Sequence, residues 1–219
     1  MRKWMLVLVM LPAVLFTVSC QQSNAAQPVR EPVAVEKGKE VAIVAGGCFW
    51  CTEAVFKELR GVEKVESGYT GGKVENPTYE QVSTGDTNHA ESIRIIYDPK
   101  QISYKELLEV FFVIHDPTTL NRQGADSGTQ YRSAIFYQSP EQKKIAEQVI
   151  KDFTEKKVYE NPIVTRLEAF TRFYVAEEYH QDYFERNPDK AYCRIVIQPK
   201  VLKFRKEFLS KLKNKEQEN

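Results

Sequence analysis

With 219 residues, 42% apolar and 28% charged, the chain can bury one sizeable core and has the balance of an ordinary globular domain. A net charge of +1 excludes the bulk basic or acidic character that marks nucleic-acid or charged-surface binders. Aromatics are dense (12 Phe, 11 Tyr, 2 Trp), and many of the tyrosines lie in Gly- and Asn-rich stretches where they can line a site.

The chain opens with a positive Met1-Arg2-Lys3 and a nearly all-apolar run from Trp4 to Val18. That run is shorter than the roughly 20 residues a membrane span needs, so it reads as a targeting signal. Its end, Thr17-Val18-Ser19-Cys20, resembles a bacterial lipoprotein signal, which implies cleavage before Cys20 and lipid on its thiol. Thr17 departs from the usual Leu, and an ordinary secretory signal is the alternative. Either form places the protein outside the cytoplasm, and the lipid form in a bacterial cell envelope. Residues 1–19 are then the signal and 20–39, polar with two prolines, a flexible tether. Setting Cys20 aside leaves Cys48, Cys51 and Cys193, an odd number that argues against a purely structural disulfide framework.

From Glu40 onward strands and helices alternate. Val41–Ala45 is predicted as a buried strand, Cys51–Leu59 as a helix and Val62–Ser67 as a second strand. Gly68 to Gly72 reads as a loop, and Asn76–Val82 as a short helix entered through Pro77. Glu91–Tyr97 alternates as a strand. The capping box Ser103-Tyr104-Lys105-Glu106 opens a helix to about His115. Asp116 to Gln130 is a long loop, Ser133–Tyr137 a strand, and Ser139-Pro140 the start of another helix. Val164–Phe170 is predicted as a strand and Phe173–Phe184 as helical. The order predicts an α+β fold: a ferredoxin-like split βαβ two-layer sandwich, a mixed sheet with helices and long loops. The domain is expected over 40–200, followed by a charged C-terminal tail over 201–219.

The densest chemical signal is Gly46-Gly47-Cys48-Phe49-Trp50-Cys51. A strand, a glycine turn and a thiol at a helix mouth turn free amide N–H groups toward the sulfur, a setting that favours thiolate. Phe49 and Trp50 add an apolar pocket. A C-x-x-C after a strand also suits a thioredoxin-like disulfide oxidoreductase using Cys48 and Cys51. Half a zinc pattern is present, but no second pair at suitable spacing, so no metal is expected.

Several blocks extend this signal in one order: Gly47 to Trp50, Gly68 to Gly72, Asn76 to Tyr79, Gly85 to Glu91, Gln123 to Ser133, Ala176 to Tyr183, and Tyr192-Cys193. Together they resemble the A-type peptide methionine sulfoxide reductases over most of the chain from about Val41 to Lys200. The resemblance implies that Cys48 is the nucleophile and Glu91 the acid. Tyr79, Tyr131 and Asp126 would surround the sulfoxide oxygen, and Phe49 and Trp50 would hold the substrate's methyl. Cys193 sits where some relatives carry a resolving thiol, and Cys51 is a second candidate for that role. The implied reaction reduces methionine S-sulfoxide, free or in oxidised proteins, through a sulfenic acid and a disulfide. No bound cofactor is needed; an external thioredoxin-like dithiol would regenerate the enzyme, which is expected to act as a monomer. His89, His115 and His180 read as structural, His180 with a backbone carbonyl as its partner. The rivals are the disulfide oxidoreductase, a cysteine-protease-like loop, and a lipoprotein module that binds methionine-like ligands.

Overall fold

In a computed structural model that describes residues 31–213, the elements in chain order are β1 (Glu40–Gly46), α1 (Phe49–Phe56), β2 (Val62–Thr70), α2 (Tyr79–Ser83), β3 (Ala90–Tyr97) and α3 (Tyr104–Ile114). A two-residue hairpin, β4 (Arg122–Gln123) and β5 (Asp126–Ser127), divides the expected long loop before β6 (Ser133–Tyr137). There follow α4 (Pro140–Glu155), β7 (Arg166–Ala169), β8 (Phe173–Val175), α5 (Tyr183–Arg186) and α6 (Gln198–Glu207). The expected signal and its Cys20 lie outside the described residues.

One sheet has the order β7-β6-β1-β3-β2-β8. β1 and β2 are each antiparallel to β3, which lies between them, so they run parallel to one another and α1 is the crossover. β6 is antiparallel to β1. The central order β6-β1-β3-β2 is the expected split βαβ arrangement, widened by β7, parallel to β6, and β8, antiparallel to β2.

Period-two alternation assigns the faces. Ala42 and Val44 of β1, Val65 and Tyr69 of β2 and Ile93, Ile95 and Tyr97 of β3 join the main core with α1 and α3. Ile43, Ala45, Ala90, Ala134, Phe136 and Phe173 form a smaller cluster on the other face. There Arg94 Nη1 meets Glu66 Oε2 at 2.6 Å, both buried, and the pair grips the incoming chain. The N–H of Val33 donates to Glu66 Oε1 (3.0 Å), and the Val33 carbonyl accepts from Arg94 Nη1 (3.0 Å). The described end of the expected tether is thus strapped to the sheet.

Three local differences from the sequence expectation share one cause, tertiary pairing overriding local pattern. β2 runs on through Thr70, because Gly68, Tyr69 and Thr70 find partners on both β3 and β8. Phe173–Phe184 is not one helix: it comprises β8, a 3₁₀ turn at Glu178–His180 and the short α5. The Gln181 side chain imitates a strand residue, accepting from Ser67 N–H (3.0 Å) and donating to the carbonyls of Ser67 and Ala176 (2.9 Å each). The third difference is the expected tail, whose described part continues α6 and buries Val201 and Phe204, each 1% exposed. The spacing Ile197, Val201, Phe204 is an apolar helical stripe that the surrounding lysines disguise.

Candidate active site

The site grows from the turn between β1 and α1. Gly47 has φ +91°, and a Cβ there would lie 2.5 Å from Cγ of Gln123, so glycine is required twice over. Cys48 follows in the N-cap position of α1. The helix begins at Phe49 rather than Cys51 and ends at Phe56 rather than Leu59, with all of its residues but Trp50 buried. It therefore runs through the core and delivers Cys48 to its floor, 7% exposed.

Alternation along β3 places Glu91 on the same sheet face as Ile93 and Ile95, facing α1. The Phe49 N–H donates to Glu91 Oε2 at 3.1 Å. Burial pushes the Glu91 carboxyl up to about 8, with Asp126 and Cys51 adding to the shift against the Phe49 N–H. Glu91 thus holds a proton at neutral pH, as an acid must.

Electrostatics at the thiols differ from the helix-mouth expectation. Burial drives Cys48 well above the ordinary thiol value, reinforced by its hydrogen bond with Cys51. The helix-mouth amides do not offset this, because the Phe49 N–H donates to Glu91 and the Cys51 N–H to the Cys48 carbonyl at 3.1 Å. Of the two thiols Cys51 is the lowered one, through its hydrogen bond with Cys48 and the Lys200 ammonium 3.5 Å away.

The remaining expected residues converge from separate elements. Tyr79 opens α2, where Thr78 and Gln81 form a capping box, and its N–H donates to Glu177 Oε1 at 2.8 Å. Tyr131 closes a 3₁₀ turn at Thr129–Tyr131. Burial raises both phenols, and both also feel the charges of Glu91, Asp126 and Cys48, so they belong to one electrostatic neighbourhood. Asp126, on β5, accepts the Tyr192 hydroxyl at 2.8 Å. Phe49 is buried against Tyr69 and His180. Trp50 is partly open and stacks on Tyr183 with centroids 3.6 Å apart and planes within 6°. Its indole N–H donates to His180 Nδ1 at 3.1 Å, where a backbone carbonyl was the expected partner. Burial lowers His180 to about 4, so the ring is neutral and keeps that lone pair free. Cys193 is fully buried at the start of a π turn, Cys193–Ile197, and is raised by burial and by Cys51. Cys48, Cys51 and Cys193 are all free thiols.

Tyr192, Tyr183, Glu177 and Lys200 are the residues sequence reasoning left without a role. Tyr183 and Glu177 lay inside a recognisable block, and Tyr192 adjoined Cys193, but a lone tyrosine or lysine carries no spacing signal. Among the described residues no group of three or more His, Cys, Asp or Glu is placed to hold a metal, and no helix is long and apolar enough to cross a membrane.

A buried cysteine pair at a helix mouth, faced by a protonated carboxyl and ringed by phenols on a split βαβ sheet, defines a thiol-based oxidoreductase. Residues 40–212 match the family model "Peptide methionine sulfoxide reductase". The chain is 55% identical over 181 residues to "Peptide methionine sulfoxide reductase MsrA 1" of Rhodopirellula baltica, covering 83% of this chain and 93% of that one. Its fold is similar to Mxr1 of Saccharomyces cerevisiae in reduced form, with TM-score 0.68, 37% identity, and coverage of 73% of this chain and 92% of that one. A structure of Mxr1 in complex with Trx2 matches with TM-score 0.50 and 28% identity, covering 69% of this chain and 89% of that one. The chain belongs to the peptide methionine sulfoxide reductase family.

Proposed function

We infer that this protein reduces methionine S-sulfoxide, free or in oxidised proteins, to methionine by thiol chemistry, with a thioredoxin-like dithiol as reductant. The observation that carries the reading is the hydrogen bond that ties Glu91, held protonated by burial, to the residue beside Cys48. Cys48 sulfur attacks the sulfoxide sulfur while Glu91 gives its proton to the oxygen, and the Tyr79 and Tyr131 hydroxyls stabilise the charge that develops there. Phe49 and Trp50 enclose the methyl group, with Trp50 braced by Tyr183 and His180. Methionine departs, Cys48 is left as a sulfenic acid, and Cys51 or Cys193 condenses with it to a disulfide and water. An external dithiol then reduces that disulfide; the complex of the similar yeast protein with Trx2 supports a thioredoxin-like donor.

We further propose that the protein acts as a monomer and, on the strength of its N-terminal sequence, that it is held in a bacterial cell envelope by lipid on Cys20. Labelled palmitate should enter the wild-type chain and not Cys20→Ala. The activity is tested by incubating the protein with dithiothreitol and a racemic methionine sulfoxide mixture. Loss of one epimer supports the reading. Reduction of insulin disulfides with no sulfoxide consumed would establish the disulfide oxidoreductase instead.

A further inference from the structure

Lys200 is outside every block that carries the family resemblance to the reaction, yet its Nζ stands 3.5 Å from Cys51 Sγ. The buried stripe Ile197, Val201, Phe204 fixes the register of α6 against the core and so sets where Lys200 reaches. Lys200 also lines a cleft of about 600 Å³ with Asp116, Gln123, Tyr159 and Glu207. Cys51 in turn is hydrogen-bonded to Cys48 across a turn closed by the Cys51 N–H and the Cys48 carbonyl. Residues three apart in such a turn have Cα atoms within about 7 Å. That is close to the roughly 4.4–6.8 Å a disulfide spans.

We propose that Lys200 is a catalytic residue of the regeneration half-reaction, its ammonium holding Cys51 as the thiolate that attacks the Cys48 sulfenic acid, so that Cys48–Cys51 is the first disulfide formed, ahead of any bond to Cys193. The proposal rests on the sulfoxide-reductase reading above. In the step, a bond forms between Cys51 Sγ and Cys48 Sγ and the Cys48 S–O bond breaks. The hydroxide leaves with a proton from solvent as water, the sulfenic sulfur is reduced and the Cys51 thiolate is oxidised.

The groups around Cys51 favour this order. Cys48 and Tyr192 offer it hydrogen bonds, Glu91 and Cys193 lie within electrostatic reach, and Lys200 is the cation among them. An adjacent cation is a recognised means of favouring a thiolate, and the Cys51 thiol is lowered, against burial, by its hydrogen bond with Cys48 and by the Lys200 ammonium. Cys193 is pushed the other way, by burial and by Cys51 itself.

The test uses the full chain carrying Cys193→Ser, mixed with one equivalent of methionine sulfoxide and no reductant, with methionine release and the Cys48–Cys51 disulfide followed separately. Lys200→Met should slow disulfide formation at pH 7 at least about tenfold more than it slows methionine release, since one pKa unit is a tenfold change in thiolate. It should also move the pH midpoint of the disulfide step upward, and Lys200→Arg should restore both. Equal slowing of the two steps, or an unchanged disulfide rate, overturns the proposal. So does a first disulfide that maps to Cys48–Cys193 in the chain with all its thiols. If the Lys200-containing protein releases no methionine at all, the sulfoxide-reductase reading itself has failed, a result distinct from the others.

Discussion

The backbone N–H of Phe49 and the Oε2 of Glu91 meet at 3.1 Å, joining the first residue of α1 to the centre of the sheet 42 positions along the chain. This one bond sets a carboxyl that burial keeps protonated beside Cys48, and it takes a helix-mouth N–H that could otherwise steady a thiolate there. Glu91 and Cys48 are both buried where they meet.

The proton supply proposed for Glu91 predicts a defined pH dependence of the reductive step. The carboxyl is raised to about 8, so the competent protonated form prevails below that value and is lost as pH rises through it. Single-turnover methionine release should fall above pH 8. Glu91→Gln should slow release by roughly 10²–10⁴-fold, the usual weight of general acid catalysis, and flatten that limb. A variant rate within a few-fold of wild type would remove Glu91 from the acid role.

The Trp50 indole is held by stacking on Tyr183 and by the hydrogen bond to His180. Tyr183→Ala should leave Cys48 chemistry in place but loosen the methyl pocket. Aromatic pairs contribute about 0.5–1.5 kcal/mol beyond area. Methionine sulfoxide KM should therefore rise roughly 3- to 10-fold, with a smaller change in kcat, read from initial rates.

Glu53 tests the burial of charge beneath the site. It is almost wholly buried on α1, accepts the Asp182 N–H at 3.1 Å, and is raised by burial to about 7 from 4.5. Between those two values the native state binds a proton that the unfolded chain has released, so stability falls as pH rises across the window. At about 1.36 kcal/mol per unit the loss is at most on the order of 3 kcal/mol. Glu53→Gln should reduce the difference in urea midpoint between pH 5 and pH 8; an undiminished slope would assign it to other groups, Glu91 first.

Phe204 measures how far the C-terminal segment belongs to the domain. Phe204→Ala empties a core site and should cost roughly 3–5 kcal/mol, the usual range for a buried Phe, seen as a lowered denaturation midpoint. A detached tail would show no change.

On the sheet's other face, Arg94→Met leaves Glu66 buried without its partner. Breaking such a pair costs about 3–5 kcal/mol, and it also frees the Val33 carbonyl. Early proteolytic cleavage near Val33, together with the lowered stability, is the expected signature.

The chemistry and the central sheet were legible in the amino-acid order, because both depend on short-range pattern. A continuous apolar run marked β1 and alternation marked β3, the Ser103 and Ser139 caps marked the starts of α3 and α4, and Gly46-Gly47 marked the turn that carries Cys48. Phe173–Phe184 misled because its aromatics recur at helical spacing while they answer to distant partners: Phe173 to Thr70, His180 to the Trp50 indole N–H, and Tyr183 to the face of that same indole. The apolar stripe of α6 was masked by charge. The ionisation order of Cys48 and Cys51 was out of reach, since it is set by burial, by Glu91 drawn from β3 and by Lys200 drawn from α6. Local pattern encodes which surface a residue presents; only the folded chain decides which distant dipoles and charges it meets there, and those alone determine where a proton rests.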